Sequence, residues 1–111
     1  MFLLAAFIAA AMLVYSTLAI LRFQNLKATG FDLGLFDQSF YRWSHGLGSA
    51  NTVRRVPTLF ADHIHPVILF LVPIRALFGT VGILVTQAAV VCLAAYPIYL
   101  FARQRLPAAY A

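Results

Sequence analysis

The sequence predicts an all-α membrane protein, with two transmembrane helices joined by a loop that carries short interfacial amphipathic helices; three transmembrane helices are the alternative. Three observations predict it. Of the 111 residues, 63% are apolar and 10% are charged, against roughly 25% charged in an ordinary soluble domain, and the mean hydropathy is +0.89. Two long, mostly apolar stretches take up much of the length. The net charge of +5, from eight Lys and Arg against three Asp, matches basic residues near bilayer surfaces, so the lipid bilayer is the expected partner and nucleic acid is not. The single Cys92 excludes a disulfide framework and a Cys-based zinc cluster.

The first span is placed at residues 1–22. From Phe2 to Leu21 the run is apolar, with Ser16 and Thr17 as its polar residues, and Arg22 closes it. Twenty residues at 1.5 Å rise cover about 30 Å, the thickness of the hydrocarbon core. A secretory signal peptide would occupy the same place, but no basic region precedes this run and it exceeds the usual ~7–15 apolar residues. Because the chain opens inside the apolar run, it is expected to be a truncated piece of a larger protein.

Residues 23–80 are read as an extracytoplasmic loop that holds all three Asp and all three His of the chain. Phe36, Phe40, Trp43 and Leu47 recur at i, i+4, i+7 and i+11, one face of a helix near 34–46. Asp37, Gln38, Arg42 and His45 lie mostly off that stripe, so this helix is expected to rest on the membrane, with Asp32 as its N-cap. Gly46, Gly48, Ser49 and Asn51 mark a flexible turn. A second membrane-lying helix is placed at 66–78. Its thirteen residues reach only about 20 Å, Pro73 interrupts its hydrogen-bond ladder, and Arg75 is expensive at mid-bilayer. The last span is placed at 81–106. Thr86, Gln87 and Pro97 interrupt it, Pro97 predicts a kink, and Arg103, Arg105 and Pro107 end it. Sidedness stays open: six basic residues in or beside the loop (Arg22, Lys27, Arg42, Arg54, Arg55, Arg75) against two after the last span would, by the positive-inside rule alone, put the loop in the cytoplasm.

Two constellations in the loop could carry chemistry. Asp32 and Asp37 sit five residues apart at the mouth of a short helix. Carboxylates just outside a bilayer can act as a general base toward a hydroxyl or hold a divalent cation; the alternative is a helix cap and a solvated helix residue. Asp62, His63 and His65 precede Pro66. They could supply three zinc or manganese ligands, but His63 and His65 at i, i+2 point apart in a strand and match poorly on a helix. No metal site is therefore expected from that segment alone. Its residues are instead candidates for helix capping and headgroup contact, or for binding a substrate phosphate with the nearby Arg54 and Arg55, which are otherwise ordinary membrane-surface charge. No nucleotide-binding glycine loop, no G-x-S-x-G and no HExxH is present. No cofactor is required by the sequence, and a divalent cation is compatible with it.

The stretch FDLGLFDQSFYRWSHG, followed by LFADHIHPVILFLVPIRALFG, resembles a family of polytopic membrane proteins, domain-of-unknown-function family 2079. The trailing TQAAVVCLAAYPIYLFARQRL also looks like that family's next span, and the resemblance covers residues 15 to 107. That family is in turn similar to the GT-C class of integral membrane glycosyltransferases, which use polyprenyl-phosphate-linked sugars. The resemblance implies that an Asp shortly after the first span is the catalytic base or a metal-proximal acid, a place held here by Asp32 with Asp37 as competitor. Asp62 with His65-Pro66 resembles the D-x-H-P box of protein O-mannosyltransferases, with one residue more between Asp and His. The Asp-Glu pair usual in the class is replaced by Asp32-Leu33. The resemblance thus implies the N-terminal part of a multi-pass, GT-C-like glycosyltransferase of the bacterial plasma membrane, completed by spans this chain lacks and inactive alone. A small non-enzymatic membrane protein, with its acids merely capping helices, is the alternative. A transporter fragment, with Arg75 as its intramembrane charge, is the third.

Overall fold

A computed structural model of the chain describes residues 1–28, 30–61 and 64–106. Helix α1 runs Phe2–Gln24 and helix α2 Gly30–Ser44; a short 3-10 turn at Leu59–Ala61 comes next. A second 3-10 turn, Pro66–Phe70, leads into α3 (Leu71–Leu93), and α4 (Ala95–Arg105) continues it. The described residues contain no strand, only an isolated antiparallel bridge between Asn51 and Val56. The chain is all-α, and two helical segments, Phe2–Gln24 and Pro66–Arg105, are long and apolar enough to cross a membrane. The alternative of three separate spans fails on length among the described residues: two segments are long and apolar enough to cross, and residues 66–78, which belong to the second, reach only about 20 Å by themselves.

α1 packs against α3, and α2 against α3. Large apolar side chains still point outward: Phe2 is 94% exposed and Leu3 88%. In water that surface would cost roughly 25 cal/mol per Å²; against lipid tails, as apolar as Leu, it costs almost nothing.

α1 ends in a Schellman turn. Lys27 N–H donates to the Arg22 carbonyl at 2.8 Å and Leu26 N–H to that of Phe23 at 3.1 Å, and Asn25 Nδ2 caps the Leu21 carbonyl at 2.7 Å. The left-handed residue of that turn is Leu26, at φ 54, where glycine is the usual occupant. α2 ends the same way: Leu47 N–H reaches the Arg42 carbonyl and Gly46 N–H that of Trp43, with Gly46 at φ 66.

α2 begins at Gly30, four residues before its expected start. Asp32 is therefore not an N-cap; it lies in the first turn, where a carboxylate still favours the positive end of the helix dipole. The apolar stripe also differs from expectation. Phe40 is fully buried, Phe36 meets it at 6.1 Å between ring centroids, and Trp43 links Phe40 to a stacked Phe60 at 5.4 Å. The chain's own loop covers this face, while Leu47 lies beyond the helix end and is half exposed. Asn51, expected in a flexible turn, is buried and anchors that loop.

α3 is broken at Gly79, whose φ of 64 and ψ of −161 are non-helical. This backbone region is essentially reserved for glycine. α3 thus has an N-terminal arm, residues 71–78, and a C-terminal arm, residues 80–93. Pro73 falls in the first turn of α3, where a missing N–H is tolerated. Pro97 cannot donate to the Leu93 carbonyl, and the helix is interrupted at Ala94, just where that bond is lost. The C-terminal arm and α4 together reach about 39 Å, enough for a full crossing.

Candidate functional site at the head of α2

Asp32 and Asp37 lie on one helix but have opposite surroundings. The Asp37 carboxylate is gripped from three directions. Arg75 Nε donates to Oδ1 at 3.2 Å and Arg75 Nη2 to Oδ2 at 3.3 Å, and Thr80 Oγ1 donates to Oδ1 at 2.8 Å. The side chains of Arg75 and Asp37 are 19% and 23% exposed. The guanidinium also lies over the Tyr41 ring, 5.0 Å from its centroid. Asp37 is therefore not a solvated helix residue, and Arg75 is not an isolated intramembrane charge. A forked, bidentate pair of this kind is among the stronger ionic contacts available.

The residues next to Asp37 are engaged as well. Gln38 Oε1 accepts from the Thr52 and Val53 N–H groups at 3.0 and 3.4 Å, and its Nε2 donates to Thr52 Oγ1. Asn51 Nδ2 donates to Ser39 Oγ at 2.7 Å and to the Leu35 carbonyl at 2.8 Å. Asn51 Oδ1 accepts from Arg54 N–H at 3.1 Å. With its backbone bridged to Val56 in both directions, Asn51 closes the turn 52–55 and binds it to α2.

Asp32, by contrast, is exposed. It lines a groove of about 740 Å³ formed by α1, α2, the 3-10 turn at Pro66–Phe70 and both arms of α3. Phe36 and Phe40 of α2, Leu71 and Ile74 of the first arm, and Ile83 and Leu84 of the second give it apolar walls. Arg22, at the end of α1, and Asp32 supply its charges at the α1–α2 corner; Thr86 and Gln87 supply further polar groups. A smaller cleft of about 380 Å³ holds Asp37 and Thr80. The two carboxylates line different cavities.

The remaining candidates divide by position. His65 is half-buried, with its ring edge-on to Phe36 at 5.9 Å between centroids, so it backs a groove wall. Arg54 and Arg55 are exposed on the turn held by Asn51, with Arg55 at φ 56, and neither lines the groove. Asp62 and His63 lie outside the described residues. Among the described residues, no three His, Cys, Asp or Glu side chains gather as a metal cluster. Sequence reasoning misses Arg22 as a groove residue, because it marks only the basic end of the first span. Its spacing of ten from Asp32 becomes meaningful only once the Schellman turn folds the corner. Asn51 and Gln38 are missed because their partners lie 12 to 16 residues away.

A family model described as predicted membrane protein (DUF2079) matches residues 22–111. No curated protein and no solved structure matches the chain.

Proposed function

The chain belongs to that family of membrane proteins, and from this premise we propose that it is the N-terminal part of a GT-C-like glycosyltransferase that uses a polyprenyl-phosphate sugar donor. The observation that carries the reading is the contrast between the two acids. Asp37 already accepts three hydrogen bonds from Arg75 and Thr80, whereas Asp32 is exposed beside an apolar groove. A general base needs an accessible carboxylate within reach of the proton it takes. In this reading Asp32 accepts the proton of an acceptor hydroxyl. The hydroxyl oxygen then bonds to the anomeric carbon, the bond from that carbon to the phosphate oxygen breaks, and polyprenyl phosphate leaves. Arg22 offsets the phosphate charge. His65 packs against Phe36, which lines the same groove. Asp62 and His63 are proposed to contribute to substrate binding, and Arg54 and Arg55 to meet phosphate. This chemistry needs no cation, though a divalent ion at Asp32 is compatible with it.

The test is sugar transfer in membranes that carry the full protein, with a polyprenyl-phosphate hexose radiolabelled in the sugar. Asp32→Asn is expected to lower transfer by roughly 10²–10⁴-fold, the usual contribution of a positioned base, with insertion unchanged. Transfer undiminished in Asp32→Asn, or none by the unmodified protein, overturns the reading. A non-enzymatic membrane element is the second reading. It is favoured by one observation: Asp37, Gln38 and Ser39, the centre of the first sequence box, are all spent on internal bonds.

A further inference from the structure

We infer that Asp37 is a positioning residue that clamps the two arms of α3 to each other and to α2, and so fixes the shape of the groove beside Asp32. The inference rests on where its partners lie. Arg75 belongs to the arm before Gly79 and Thr80 to the arm after it, yet both donate to the same oxygen, Oδ1, at 3.2 and 2.8 Å. One carboxylate from another helix thus bridges a break in the backbone. Gly79 leaves the helical conformation, so regular helix geometry does not set the angle between the arms, and contacts from outside the helix bear on it.

Two further features show that this break is built in. Gly79 adopts φ 64, and a Cβ there would meet nothing within 4 Å; backbone conformation, not space, demands glycine. Gly82 is the reverse. A Cβ built on it would sit 2.6 Å from Phe78 Cβ and 3.2 Å from Ile74 Cγ2, so the arms fold together closely enough to exclude even a methyl group. The groove draws its walls from both arms, Leu71 and Ile74 before the break and Ile83 and Leu84 after it, as well as from Phe36 and Phe40 of α2. These are the three bodies that Asp37 joins. A change of angle at Gly79 would therefore move one wall of the groove against the others.

Spin-label distances test this in the full protein in lipid nanodiscs, with Cys92→Ala and label pairs placed at exposed Phe31 (α2), Leu77 (first arm) and Leu93 (second arm). Thr80→Val replaces the hydroxyl with a methyl group of similar size. It is expected to broaden the Leu77–Leu93 distribution while the Phe31–Leu77 distribution stays narrow, because the Arg75 pair survives. Asp37→Asn is expected to broaden both. Uniform broadening in Thr80→Val would mean general loosening, and unchanged distributions in both variants would mean packing alone sets the angle; either result overturns the inference. Should Asp37→Asn fail to insert, Thr80→Val decides alone. These distances need no substrate, so they stand or fall separately from sugar transfer.

Discussion

The first turn and the middle of α2 carry the same functional group and treat it in opposite ways. Five residues at 3.6 per turn separate Asp32 and Asp37 by about 140° around the helix axis. When Asp37 faces the break in α3, Asp32 is turned toward the α1–α2 corner. One carboxylate is held by a guanidinium and a hydroxyl, and the other is exposed beside an apolar groove. The difference teaches that the two acids of one sequence box need not share a task. The box combines a docking face, made of Asp37, Gln38 and Ser39, with a solvent-accessible acid at its start.

The sharpest way to break the comparison is to remove each acid in turn and follow stability. Asp37→Ala leaves Arg75 without its anion in an apolar setting. It is expected to destabilise by about 2–3 kcal/mol, below the ~3–5 kcal/mol of a fully buried pair because each side chain remains about a fifth exposed. Asp32→Ala is expected to stay within about 0.5 kcal/mol, as surface substitutions usually do. Thermal unfolding in detergent, monitored by the single Trp43, reads both. Equal losses would erase the distinction between the two positions.

The docking face can be sharpened at Asn51. Asn51→Asp keeps the shape but turns a donor nitrogen into an acceptor oxygen facing the Leu35 carbonyl. The expected loss is about 1–3 kcal/mol, the range for a buried polar group deprived of its partner, read by the same unfolding measurement. An unchanged midpoint would show that the turn is held by Gln38 and the rings instead.

Much of this fold is legible in the sequence. The apolar run from Phe2 to Leu21 and the basic residues closing the chain's apolar stretches need only length and composition to be read. The aromatic stripe Phe36, Phe40, Trp43 is legible as a helix face, but not what covers it. Composition cannot separate a face on headgroups from one under Phe60, because both are equally apolar. The start of α2 is misplaced because Asp32 is as suited to the first turn as to the cap position. The pairing of Asp37 with Arg75 is hidden for another reason: 38 residues separate them, and nothing local marks either as the other's partner. Asp32 stands out as a candidate from its position after the first span, yet its groove depends on Arg22, which the sequence offers only as a span terminator.

The open end of α2 rests on a strained corner, and the smallest expected effect lies there. Leu26 holds φ 54 in the Schellman turn that brings the end of α1 next to α2. A left-handed conformation costs an L-residue with a Cβ roughly 1–2 kcal/mol. Leu26 is 91% exposed, so its side chain gives little packing in return. Leu26→Gly removes the steric penalty but also gives the unfolded chain more freedom, worth about 0.4–1 kcal/mol in the other direction. The net expectation is a gain of about 0.5 kcal/mol, seen as a small rise in the unfolding midpoint, with Asp32 still exposed. A clear fall in the midpoint would mean that the Leu26 side chain inserts into the bilayer and pins the corner. The exposed acid would then be held at a fixed depth by lipid as well as by α2, and the contrast between an anchored middle and an open first turn of the helix would have to be redrawn.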